Sequence, residues 1–144
     1  MHIESEAGAY IQILLSTYNG EKYLRDQLDS YLTLEQADRI KVLIRDDGSC
    51  DGTREILQEY AYDKRFHVEY GDHIGTNASY QWLLENADSS CKYFAFSDQD
   101  DVWLPHKLSV AEAALEQCSQ EELLLFASRS QITNEDLQTI GYSL

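Results

Sequence analysis

The sequence is poor in basic residues, in proline and in long apolar runs. Lys and Arg total 11 against 26 Asp and Glu, a formal charge of −15. A surface of that sign repels nucleic-acid phosphates and anionic lipid heads, which argues against a nucleic-acid binder. A protein so charged needs a divalent cation as a screen if it is to hold a phosphate compound. No apolar run approaches the ~18 residues that cross a bilayer. The opening MHIESEAGAY has no basic region ahead of an apolar core, so residues 1–9 read as a loose leader and not as a signal peptide. Cys50, Cys91 and Cys118 are odd in number and form no CxxC pair, which fits reduced thiols in a reducing compartment, the cytoplasm. Pro105 is the only proline, and no linker, internal repeat or low-complexity segment interrupts the chain.

What remains is the composition of one ordinary domain: 144 residues, 43% hydrophobic and 26% charged. Four apolar runs with little alternation, YIQILLS (10–16), IKVLIR (40–45), KYFAFS (92–97) and ELLLFA (122–127), read as strands buried on both faces of a largely parallel sheet. FHVEY (66–70) is a weaker, shorter strand. Between them, apolar residues fall one turn apart in 20–32, 53–62, 77–88 and 105–118, which predicts helices there, with Pro105 in the first turn of the last. The expected order is β-α-β-α-β-α-β-α-β, an α/β layer fold with helices on both faces. The domain is expected over 10–127. In the tail, 128–144, NED is placed to turn between two short strands, 129–133 and 138–143.

Sheets of this kind bind ligands at the carboxyl ends of their strands. STYNGEKYL follows the first strand: small polar residues and Gly20 free backbone N–H groups, and Tyr18 offers a ring face, although a plain helix cap explains the stretch as well. RDDGSCDGT follows the second. Asp51 and Thr53 are explained by capping and turn chemistry, but the pair Asp46–Asp47 is one carboxylate more than a cap needs. A carboxylate at such a strand end commonly accepts a hydrogen bond from a nucleoside. GDHIGTNASY follows the third, with Thr76 or Asn77 as the expected cap and His73 as a surface residue. SDQDDVWLP follows the fourth. Alternate acids on an extended loop point the same way, so Asp98 and Asp100 face one point while Asp101 faces another. Carboxylates converging without a basic partner cost several kcal/mol or take up protons. A hard cation, Mg²⁺ or Mn²⁺, removes the conflict by sharing them with water and phosphate.

Taken in order, STYNGEKYL, IRDDGSCDGT, IGTNASYQWLLENAD and FSDQDDVWLPHKL resemble the motifs of family-2 glycosyltransferases, and SDQDDVWLP is most similar to rhamnosyltransferase-like members that build bacterial surface polysaccharides. The resemblance spans residues 10 to about 118. It implies a Rossmann-like GT-A fold and metal-dependent, inverting transfer from a dTDP- or UDP-sugar to a glycan or lipid-linked glycan, at the inner face of the cell membrane. Thr17 and Tyr18 would line the nucleotide pocket, Asp47 would meet the pyrimidine base, and Asp46 would support it or stay structural. Asp98 and Asp100 would form the DxD, with Asp100 as direct metal ligand and Asp98 on the ribose or a metal-bound water. The general base of such enzymes lies in a second half, so it is expected beyond Leu144 and is unknown here. His73 stands where many relatives carry Asn. The other readings of the residues are a magnesium-dependent phosphoryl-transfer or phosphatase-like domain, and a non-catalytic binding module of the same fold. Phospho-aspartate chemistry, however, needs an acid after the first strand, where Ser16, Thr17 and Tyr18 stand.

Overall fold

The structure is a computed structural model that describes residues 10–119 and 121–143. They fall into two compact units, one ending at His106 and the other beginning at Lys107. That division precedes the expected boundary at 127.

The first unit alternates strands and helices: β1 (Ile11–Thr17), α1 (Leu24–Leu32), β2 (Ile40–Asp46), α2 (Thr53–Tyr60), β3 (Phe66–Tyr70), α3 (Thr76–Glu85) and β4 (Tyr93–Ser97). All four strands run parallel, in the order β3-β2-β1-β4. The chain therefore steps outward from β1 to β3, then crosses back to place β4 on the other side of β1. The β1/β4 junction is the topological switch point, where diverging connections leave a crevice at the carboxyl ends.

Leu14 and Leu43 are lateral neighbours and so share a face, on which they pack with Leu83 of α3. Ile13 and Leu15 point the other way and are also completely buried. Leu15 is level with Ser97, and α1 reaches Ser97 through Gln27 and Tyr31, which puts α1 on that second face. Helices thus cover both faces, and β1 and β2 are apolar because they are central. The outer strand β4 departs from the expectation of burial on both faces. Among the described residues it has a neighbour on one side only, and Phe94 and Phe96 are 43% and 52% exposed.

Helix starts differ from the sequence expectations. Gly52 and Gly75 hold the cap positions of α2 and α3 without side-chain bonds; Asp51 still serves the start of α2 as expected, its Oδ1 accepting from Thr53 N at 3.0 Å, whereas neither Thr53 nor Thr76 nor Asn77 is the cap residue. Other polar residues near α2 serve the loop after β1. Ser49 Oγ accepts from Asn19 N at 2.9 Å, Thr53 Oγ1 from Gly20 N at 2.8 Å, and Asn19 Oδ1 from Cys50 N at 2.9 Å.

The second unit holds α4 (Lys107–Glu116) and an antiparallel hairpin of β5 (Gln131–Thr133) and β6 (Thr139–Tyr142). Its turn is tied by Asn134 Oδ1, which accepts from Asp136 N and Gln138 N. Pro105 lies in the turn before α4 rather than within it. ELLLFA (122–127) is not a strand: no described residue of that run pairs in either sheet, and Leu123 and Leu125 are almost fully exposed. Apolar content raises the propensity for a strand, but a strand needs a ladder partner to satisfy its backbone.

Leu14→Ala would empty the centre of the α3 face. We expect a loss of about 3 kcal/mol in urea unfolding with an unchanged denaturant slope. A loss below about 1 kcal/mol would show that Leu14 is not part of that core.

Candidate nucleotide and metal site

The crevice at the switch point is lined by Ser16 and Tyr18 after β1, Asp47 after β2, His73 and Thr76 after β3, Tyr80 of α3, and Asp98, Gln99 and Asp100 after β4. Of the residues singled out in the sequence, Tyr18, Asp47, Asp98 and Asp100 meet here. Thr17 and Asp46 do not reach the surface of the crevice; both are buried behind it. Strand alternation separates the adjacent acids. Asp46 is level with Thr17 and turns to the α1 side, where Arg54 Nε of α2 meets its Oδ2 at 2.8 Å. Asp47 turns to the α3 side and faces the crevice.

Asp47 is held by a buried ion pair. Arg45, the last basic residue of β2, is 5% exposed and Asp47 is 2% exposed. Arg45 Nη1 donates to Asp47 Oδ1 and, at 3.2 Å, to Ser79 Oγ of α3, while Nη2 donates to the Asp72 carbonyl at 3.0 Å. Ser79 Oγ also accepts from Ser16 Oγ at 2.6 Å, which brings the end of β1 into the same network. The backbone N–H groups of Ile74 and Gly75 donate to Asp47 Oδ1 and Oδ2, both at 3.0 Å, and His73 Nδ1 faces Oδ2 at 2.9 Å. Three N–H donors thus meet the carboxylate, and His73 Nδ1 faces its fourth acceptor position. Burial pushes the Asp47 carboxyl up, but the Ile74 N–H, the Arg45 guanidinium and the Gly75 N–H together hold it below the usual carboxylate range.

Two glycines make this approach possible. Gly48 has φ +82°, and a Cβ there would stand 2.8 Å from His73 N. Gly75, at φ +89°, takes a left-handed conformation that releases its N–H and that of Ile74 toward Asp47. His73, expected as a plain surface residue, stacks on Tyr18 with ring centroids 4.3 Å apart and lines the crevice.

The acid loop is supported from beneath. Ser97 Oγ accepts from Gln27 Nε2 at 2.9 Å and Tyr31 Oη at 2.6 Å, both wholly buried on α1, and donates to the Asp98 carbonyl at 3.2 Å. Ser30 Oγ, also on α1, accepts from Trp103 N at 3.0 Å, and the Trp103 ring meets Tyr31 edge-on at 5.1 Å. One helix therefore grips both ends of SDQDDVW. Tyr80 donates to the Ser97 carbonyl at 2.6 Å and lies 3.3 Å from Asp98 Oδ1; burial and then the Asp98 charge raise its phenol, which stays a donor. Asp98 and Asp100 themselves are exposed, and among the described residues neither pairs with Lys or Arg. Arg45, His73, Tyr80 and Gln99 escaped the sequence reading. Arg45 alone carried a signal there: a charge closing an apolar strand must be paired if that strand is buried.

The first unit is an α/β layer fold with carboxylates and an aromatic face at its switch point, the place where open sheets of this class bind ligands. The family model for glycosyl transferase family 2 matches residues 12–123, so the chain belongs to that family. It is 36% identical over 100 residues to a protein named as a putative teichuronic acid biosynthesis glycosyltransferase, TuaG, of Bacillus subtilis, covering 68% of this chain and 38% of that one. It is 31% identical over 105 residues to the dTDP-rhamnosyl transferase RfbG of Shigella flexneri, covering 67% and 35%. The crystal structure of Staphylococcus aureus TarS residues 1–349 superposes with a TM-score of 0.67 at 24% identity, over 75% of this chain and 32% of that one, which establishes the GT-A fold. The chain spans roughly a third of the length of the curated relatives it matches.

Asp47→Asn leaves Arg45 buried without its counter-charge, and we expect a loss of about 3–5 kcal/mol near neutral pH in urea unfolding. The depressed Asp47 carboxyl stabilises the fold fully above its unfolded value of about 4. That contribution disappears as pH falls through the lower native value. Stability measured from pH 7 to pH 3 should therefore fall more steeply in wild type than in Asp47→Asn; parallel profiles would contradict the role given to the pair.

Proposed function

We propose that this crevice binds a nucleoside-diphosphate sugar together with Mn²⁺ or Mg²⁺, for inverting glycosyl transfer to a glycan or lipid-linked glycan of a bacterial surface polysaccharide. The observation that carries the reading is the meeting, across the β1/β4 junction, of an aromatic face with two exposed carboxylates that have no Lys or Arg partner among the described residues. Asp98 and Asp100 suit a hard cation that completes its shell with water and phosphate. Among the described residues no group of three or more His, Cys, Asp or Glu gathers into an all-protein cage. A bound cation would supply Lewis-acid stabilisation of the negative charge that develops on the departing diphosphate.

The chain's own residues divide the remaining work. Asp100 is the direct ligand, and Asp98 holds the ribose or a metal-bound water. Tyr18 stacks on the base, whose ring N–H meets Asp47 at the acceptor position that His73 Nδ1 now faces. Thr17 and Asp46 act from behind the wall. The relatives support the donor class: one is named as a dTDP-rhamnosyl transferase, TarS has been crystallised with UDP-GlcNAc and with UDP, and a Pyrobaculum calidifontis mannosyltransferase with GDP-mannose and Mn²⁺. The place of work we propose is the cytoplasmic face of the membrane. No helix among the described residues is long and apolar enough to cross a bilayer, and Cys50, Cys91 and Cys118 form no disulfide among those residues. The phosphatase-like alternative is not favoured, because β1 ends in Ser16 and Thr17 rather than in an acid.

Thermal shift with UDP, dTDP and GDP, each with and without Mn²⁺, tests the proposal. At a concentration about a hundredfold above Kd, UDP or dTDP should raise Tm by about 5 °C or more, and only with the metal. No shift with any nucleotide would overturn it and leave a binding module of another kind. Asp100→Ala should remove the metal-dependent part of the shift and leave the ligand-free Tm within about 2 °C, as expected for an exposed side chain.

A further inference from the structure

We propose that Gln99, the residue between the two acids, couples the metal end of the crevice to its aromatic end, so that cation and nucleotide bind cooperatively. The inference rests on the donor-binding reading above and adds a residue and a physical link to it.

The carboxamide of Gln99 is matched to the backbone of Tyr18. Its Oε1 accepts from Tyr18 N at 2.8 Å, and its Nε2 donates to the Tyr18 carbonyl at 3.1 Å. The N–H and C=O of Tyr18 both meet the carboxamide, which presents an acceptor and a donor side by side. Thr17 Oγ1 donates to the same Oε1 at 2.7 Å, and Thr17 is only 1% exposed, so this third bond is shielded from water. Gly20 completes the arrangement. A Cβ at residue 20 would lie 2.6 Å from Gln99 Oε1. The loop after β4 is thus latched across the switch point to the residue that presents the aromatic ring.

The consequence follows from chain geometry. Asp98 and Asp100 flank Gln99 directly, so neither can shift without straining the latch, and Tyr18 cannot shift without pulling on it. A cation that draws the two acids together therefore also restrains Tyr18. A nucleotide that orders Tyr18 in turn preorganises the acids, and the coupling is reciprocal.

The chemistry separates this idea from a simple charge effect. Gln99→Glu places a third carboxylate beside Asp98 and Asp100, which on charge alone should strengthen metal dependence. The latch requires the opposite, because Glu cannot donate to the Tyr18 carbonyl and sets an anionic oxygen against it. Gly20→Ala gives a second variant that leaves the acid loop's sequence intact and displaces the end of Gln99, crowding Thr17 Oγ1 at 3.0 Å as well.

The test measures UDP affinity by calorimetry, with and without saturating Mn²⁺, in wild type, Gln99→Glu and Gly20→Ala. The Mn²⁺-dependent gain in affinity should fall by about tenfold in both variants. Hydrogen exchange at the Tyr18 amide, measured without nucleotide, should be slow in wild type and markedly faster in both. An undiminished gain in either variant, or a larger one in Gln99→Glu, would overturn the coupling. A wild-type chain with no Mn²⁺-dependent gain would sink the metal-dependent reading itself. The latch is then judged by the Tyr18 amide, and equal protection in all three proteins would remove it too.

Discussion

The buried Arg45–Asp47 ion pair is the interaction on which the site depends. A guanidinium and a carboxylate almost out of water are costly to desolvate, and the cost is recovered only when the remaining donors and acceptors are satisfied. Here they are. Arg45 spends its donors on Asp47, on Ser79 of α3 and on the backbone before His73, and Asp47 takes two further backbone N–H groups. A pair with this many obligations orders its surroundings. It draws the β3–α3 loop over the end of β2, fixes the start of α3 and, through Ser79 and Ser16, reaches the end of β1. Gly48 is required because a side chain there would meet that loop.

The acid loop is organised on a different principle. Asp98 and Asp100 are left exposed with no Lys or Arg partner among the described residues, and the positioning is delegated to neutral groups. Gln27, Ser30 and Tyr31 hold the two ends of the loop from α1, Tyr80 holds its start from α3, and Gln99 latches its middle to Tyr18. A basic residue placed among the acids would relieve their repulsion, but it would also occupy the place of a cation. Neutral hydrogen bonds fix the geometry and leave the charge uncompensated. The overall acidity of the chain has the same consequence: for the phosphate ligand proposed above, the positive charge has to come from outside.

Much of this was legible in the sequence. The short apolar runs at 10–16, 40–45 and 92–97 became parallel strands, and the residues after them became the rim of the crevice. Tyr18, Asp47, Asp98 and Asp100 were found because their types do not suit the ends of ordinary strands. Asp46 and Thr17 come from the resemblance, with Asp46 as a supporting or structural residue, and both lie behind the wall because adjacent residues of a strand take opposite faces. The run 122–127 misled for a related reason: its composition is that of a strand, but no described neighbour completes its ladder. His73 looked isolated because its partners, Tyr18 and Asp47, lie 55 and 26 positions away in the chain. Gln99 looked like a spacer, since a carboxamide shows no distinctive pattern until its acceptor and donors are known.

The sequence by itself determined the period and order of the strands and helices, the sign of the charge, and the placing of acids after the second and fourth strands. These are properties of local chain geometry and composition, readable a few residues at a time. Only the tertiary structure decided which acid of the Asp46–Asp47 pair faces the crevice, that Arg45 secures it, and that Gln99 joins one wall to the other. Those facts depend on which strands become neighbours. The order β3-β2-β1-β4 arises from long-range crossovers that set Tyr18 beside residues more than eighty positions further along the chain.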